Sequence, residues 1–168
     1  MKIFRSLLAI TFAILTLFSL CACGEDVYTV KELSITLPDD YVEMPSISFT
    51  ACFETVDEDD SEAVLIIREK EETVFNVAGK TDVSVEEYAA LVIKANGMGF
   101  KPSQKDGIVY YTYEKNDLFY LVTLHRSEDC YWLVQFVTPS KGLGSTDKYF
   151  KYAKSITFNE DYEEESTI

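Results

Sequence analysis

The chain carries one histidine, His125. Covalent catalysis through serine or cysteine needs an imidazole within hydrogen-bond reach of the nucleophile. Cys130 is the nearest cysteine in sequence. If Ser127-Glu128-Asp129 forms the turn between two strands, Arg126 opposes Cys130. Alternation then sets His125 beside Tyr131 and puts Cys130 on the opposite face. A bulge in the turn would reverse this. On the direct reading His125 is a structural or partly exposed histidine. The acidic run Asp57, Glu58, Asp59, Asp60 and Glu62 offers the oxygen ligands that calcium takes. An EF-hand loop counted from Asp57 would need glycine sixth and glutamate twelfth, and the chain has Glu62 and Arg68 there. The run reads as a solvated hairpin loop. Cys52 and Cys130 form an even pair, which in an exported chain invites a disulfide. A chain with a sizeable core does not need one, and buried free cysteine packs well. The sequence has no CxxC pair, zinc spacing, nucleotide loop or GxSxG, so neither a metal nor a cofactor is expected.

The first residues show where such groups would work. Lys2 and Arg5 make a basic start, Ser6 to Leu20 is uncharged and mostly apolar, and small residues follow at Ala22 and Gly24. That order describes an export signal. A spanning helix takes about 20 apolar residues, which this segment barely reaches. The stretch Leu20-Cys21-Ala22-Cys23 resembles the lipobox of bacterial lipoproteins, with an aliphatic residue three places before the modified cysteine and a small one directly before it. Cys23 fits. Cys21 does not, because Leu20 directly precedes it. The resemblance implies diacylglyceryl transfer to the Cys23 sulfur, cleavage after residue 22 and retention at the outer side of the cell membrane. Two acyl chains at one residue meet the requirement for stable anchoring.

Residues 1–22 are therefore set apart as a signal peptide and 23–32 as a lipidated tether. About 150 residues remain, enough for one domain with a real core. The full chain has a net charge of −14, and loss of Lys2 and Arg5 makes it more negative. Such a surface is repelled by nucleic acid and by anionic lipid, so no nucleic-acid partner is expected and the lipid must do the holding.

The elements that would position any site follow from pattern. "LSITL" from Leu33 alternates as a strand, and Pro38-Asp39-Asp40 breaks it. Ile47–Thr55 and Ala63–Glu69 read as a hairpin around the acidic loop. Ser84 caps a helix to Asn96, with Glu87 completing a capping box and Gly97 ending it. Strands over Ile108–Lys115, Leu118–Arg126 and Cys130–Thr138 form a meander, and the Asn116-Asp117 turn sets Lys115 opposite Leu118. On these registers one face collects Val109, Tyr111, Tyr113, Tyr120, Val122, Leu124, Trp132, Val134 and Phe136. That is a core face, with Trp132 buried near Leu124. The other face is mixed and includes Tyr110, His125, Tyr131 and Gln135. Ser145 or Thr146 starts a second helix to Lys154, "SITF" adds a short strand, and residues 159–168 read as an acidic disordered tail.

This order makes residues 33–158 a single α+β domain on an antiparallel sheet. It resembles the PsbP-like α/β/α sandwich found in many bacterial lipoproteins. The resemblance is carried by "LSITLPDDYVEM", "SVEEYAALVIKANG" and "YWLVQFVTPSKGLGSTDKYFKYAKSITF". Tyr41 stands where tryptophan is more typical. The resemblance implies a binding or accessory protein and transfers no active site. The expectation is a membrane-anchored cell-envelope lipoprotein with a protein or small-molecule partner; the alternative is an envelope enzyme without recognisable motifs. The candidate ligand face is the mixed one, at Tyr110, His125, Tyr131 and Gln135, because aromatic area and hydrogen-bonding groups coincide there. A helix covering that face is the competing reading.

Overall fold

A computed structural model of the chain describes residues 24–56, 61–141 and 143–162. Cys23, the acids at 57–60 and residues 163–168 lie outside these. In chain order the elements are β1 (Glu25–Val30), β2 (Leu33–Pro38), β3 (Tyr41–Met44), β4 (Ala51–Thr55), β5 (Ala63–Lys70), α1 (Glu71–Ala78), α2 (Val85–Ala95), β6 (Ser103–Lys105), β7 (Ile108–Lys115), β8 (Leu118–Arg126), β9 (Cys130–Pro139), α3 (Asp147–Lys154) and β10 (Thr157–Phe158).

Local chemistry accounts for several boundaries. Asn116 and Asp117 both adopt positive φ, 54° and 61°, as a two-residue hairpin turn of the primed type requires. Lys115 therefore opposes Leu118. At α2 the capping box is complete: Glu87 N–H donates to Ser84 Oγ (3.2 Å), and Ser84 N–H donates to Glu87 Oε2 (2.9 Å). Gly97, at φ 70°, ends the helix, and the next amide, Met98 N–H, bonds back to Ile93 O (3.0 Å). Gly79 performs the same role after α1.

The strands form two sheets. One is antiparallel and seven-stranded in the order β3-β4-β5-β9-β8-β7-β6, and the other has the order β1-β2-β10. The large sheet is a middle layer with a core on each side. On one side Ile66, Leu121, Trp132, Val134 and Phe136 pack with β2 and α3. On the other, Val109, Val122, Leu124, Tyr131 and Leu133 pack with α1 and α2. The α+β class and the antiparallel sheet hold.

Some expectations are corrected. Arg126 opposes Tyr131, not Cys130. The turn uses only Glu128-Asp129, because Ser127 N–H bonds Cys130 O at 2.9 Å. One residue of slip moves every β9 side chain to the other face. Trp132 is fully buried as expected, but it opposes His125 and meets Phe158 instead of sharing Leu124's face. Cys130 shares the His125 face, the arrangement that a different turn was expected to give. Of the segment 23–32 expected to be a tether, Glu25–Val30 is instead strand β1, paired along its length with β2. Strands β3 and β6 and helix α1 had no counterpart in the sequence reading, and the strand expected from Ile47 begins at Ala51. Cys52 and Cys130 are buried free thiols, so the disulfide alternative falls. Asn159 N–H bonds Glu32 O at 2.8 Å, so the chain remains attached just past β10.

Candidate functional site

The four residues of the expected ligand face divide between the two cores. Tyr110 packs edge-on against Phe150 of α3, with ring centroids 5.0 Å apart. His125 lies on the same side, its Nε2 3.0 Å from Thr123 Oγ1. Tyr131 lies on the other side, fully buried, and its hydroxyl donates to Val83 O at 2.5 Å. Gln135 shares that side and accepts from Tyr113 OH at 3.4 Å. The structure thus does not bring these four together. The β7 and β8 residues of the face expected to be mixed pack beneath β2 and α3, and its β9 residues lie on the α1–α2 side.

The shared face of His125 and Cys130 does not supply a nucleophile and base. Burial pushes the imidazole down to about 4. Burial also pushes the Cys130 thiol up to about 11. At neutral pH the thiol keeps its proton and the ring stays uncharged, whereas a thiolate nucleophile needs a lowered thiol pKa.

Several surface clefts remain. One, about 520 Å³, lies beside the start of α3 and is lined by Glu62, Thr138, Lys141, Ser145, Lys148 and Tyr149 among others. Its carboxylate is already engaged. Glu62 Oε2 accepts from Tyr41 OH (3.0 Å), and Oε1 accepts from Tyr149 OH (2.9 Å), Thr138 Oγ1 (3.4 Å) and Lys148 Nζ (2.5 Å). A carboxylate has about four lone-pair positions. Glu62 therefore acts as a latch joining β3, β9 and α3 at the base of the acidic loop. Burial, and then Glu62 itself, raises the Tyr41 pKa and keeps that phenol a donor.

Another cleft, about 250 Å³, lies between α1 and α2. Val74 and Val77 of α1 face Leu91, Val92 and Ala95 of α2, and Glu69 at the end of β5 and Tyr88 complete the floor. Tyr88 is 2% exposed, and its hydroxyl has no hydrogen-bond partner among the described residues. Burial raises the Tyr88 pKa, and the neighbouring Glu69 carboxylate raises it further, through its charge and through its hydrogen-bonding approach to the phenol. Buried hydroxyls are almost always partnered; this one is closed off from solvent beside Glu69.

Sequence reasoning missed both groups. Glu62 read as one more solvated acid of the loop, and Tyr88 as one apolar position in the helical stripe. The stripe itself was the only signal, since it identified the buried face of α2 without identifying what stands opposite.

No protein-family model matches the sequence, and neither does any curated protein. Among solved structures, a protein from Bacteroides thetaiotaomicron VPI-5482 is similar at 12% identity and a TM-score of 0.48, over 82% of this chain and 48% of the other. This chain thus spans about half of that protein's length. Cyanobacterial PsbP (CyanoP) from Synechocystis sp. PCC 6803 is similar at 12% identity and a TM-score of 0.40, over 82% of this chain and 94% of the other. The neighbours therefore include a protein of the PsbP type. The α+β class of this chain rests on its own strands and helices.

Proposed function

We propose that this chain is a lipid-anchored binding or accessory module on the outer side of the cell membrane, with the α1–α2 cleft as its ligand site. The observation that carries the anchor is the Leu20, Ala22, Cys23 pattern behind a basic start and an apolar segment. No helix among the described residues is long and apolar enough to cross a membrane. Gly24 O accepts from Asp39 N–H at 2.8 Å, and β1 begins at Glu25. A lipid on Cys23 would therefore hold the domain against the bilayer almost without a spacer. Support for a binding role comes from the open, largely aliphatic cleft between α1 and α2 with Glu69 in its lining.

The test is detergent-phase partitioning of the full chain expressed in a bacterium. Cys23→Ala should move the protein to the aqueous phase, and Cys21→Ala should leave it in the detergent phase. An unmodified mature N-terminus well before or after Cys23 would sink the anchor. A hydrolytic or transfer activity abolished by His125→Ala would favour an enzyme instead.

A further inference from the structure

We propose that the outer edge of β3 takes an extended segment of a partner protein as an added strand, with an arginine or lysine opposite Glu43 and apolar residues opposite Val42 and Met44. This surface is separate from the α1–α2 cleft, and the inference depends neither on that cleft nor on the lipid anchor.

Backbone, side chains and charge each constrain the partner. β3 is the last strand of the seven-stranded sheet and pairs with β4 alone. Val56 N–H bonds Asp40 O at 3.2 Å, so Asp40 and Val56 form a hydrogen-bonded pair. Such pairs alternate along an antiparallel ladder. Val42 and Met44 therefore bond to β4, and the backbone groups of Tyr41 and Glu43 face outward. Tyr28 OH already donates to Tyr41 O at 2.5 Å. The N–H and C=O of Glu43 have no partner among the described residues, and Glu43 is exposed. An antiparallel strand can exchange both bonds with Glu43 through a single residue.

The side chains then set the pattern. Val42 is 42% exposed and Met44 39%, and both point to the face opposite Glu43. The added strand must carry an apolar, a charged and an apolar residue in succession. The sign of the charge follows from the surroundings. From Glu32 to Ile67 the chain has ten acidic residues and no lysine or arginine, and Glu43 has no ion pair among the described residues. A cation opposite Glu43 is attracted, and an anion is repelled. The same field opposes anionic lipid and a second copy of this chain, whose charge is also −14. Glu43 thus guards the edge against self-pairing, as charged residues on edge strands do, while leaving it open to a basic segment. Pro45 follows Met44 and keeps the edge to four residues, so recognition rests on this short pattern.

The test is amide NMR of the isotopically labelled full chain in zwitterionic detergent, titrated with three synthetic peptides. These are acetyl-TSVRVST-amide, the same peptide with glutamate in place of arginine, and the arginine peptide N-methylated at its central residue. The first should give saturable shifts centred on Tyr41–Met44 and should slow exchange of the Glu43 amide. The glutamate peptide should bind about tenfold more weakly, because an opposite-charge cross-strand pair becomes a like-charge one. The N-methylated peptide cannot donate to Glu43 O and should also bind about tenfold more weakly. Peptide partitioning into micelles is the same for every variant, so Glu43→Lys isolates the site: it should reverse the order of the arginine and glutamate peptides. The proposal is overturned if the arginine peptide gives no saturable shift, if its shifts lie away from β3, if either control peptide binds as tightly, or if Glu43→Lys leaves the order unchanged. Protection of the Glu43 amide that rises with protein concentration in the absence of peptide would overturn it in favour of a second copy.

Discussion

Deleting one oxygen from each of two touching tyrosines should have opposite effects. Tyr88 and Tyr131 are both buried, and their ring centroids lie 4.7 Å apart. Tyr131 OH donates to Val83 O, whereas Tyr88 OH has no partner among the described residues. A buried polar group without a hydrogen bond costs about 1–3 kcal/mol, and a satisfied one contributes about 1 kcal/mol net. Glu69 close to the Tyr88 hydroxyl lowers the first figure toward its small end. Tyr88→Phe should therefore be neutral or stabilising by up to about 1 kcal/mol. Tyr131→Phe should destabilise by about 1–2 kcal/mol, limited because Arg126 Nη1 also reaches Val83 O at 3.3 Å. The two variants should differ by about 2 kcal/mol in urea unfolding, with midpoints shifted and m-values unchanged. The rings touch, so the double variant need not equal the sum of the singles. Destabilisation by Tyr88→Phe of about 1 kcal/mol or more would show that the hydroxyl is already satisfied and would refute this reasoning.

Two further outcomes follow from the same geometry. Glu62→Ala removes the acceptor shared by Tyr41, Tyr149, Thr138 and Lys148; it should destabilise by about 2–4 kcal/mol, and a denaturation midpoint equal to wild type would refute the latch. His125 has a folded pKa of about 4, below its ordinary value of 6.5, so the unfolded chain takes the proton first. Its contribution is complete above about pH 6.5, declines as the pH falls toward 4, and changes no further below that. It is worth about 1–3 kcal/mol after allowance for the ring's partial exposure. The stability loss between pH 7 and pH 4 should be smaller by that amount in His125→Gln, and an unchanged pH profile would place the ring in water.

The sequence by itself determined the elements whose cause is local. The Ser84–Glu87 box, the glycine after α2, the Asn116-Asp117 turn and the bounds of β7 and β8 depend on residues a few places apart, and they are found as read. The burial of Trp132 follows from its size in an apolar strand. The face it occupies was settled only by tertiary structure. Strand β9 is apolar on both sides because cores lie on both sides of the sheet, so alternation cannot distinguish its two registers. The register is set by β5 on its other edge, where Arg68 opposes Trp132 and Lys70 opposes Cys130. The same limit applied to β1, a polar segment that becomes a strand only because β2 presents an edge, and to α1, whose eight residues are too few to declare a helix without the sheet beneath them. The candidate site depends on the same kind of long-range fact. Helical spacing marks Tyr88 as buried, but whether its hydroxyl meets a partner depends on α1 and β5, which are distant along the chain and are brought opposite it only by folding.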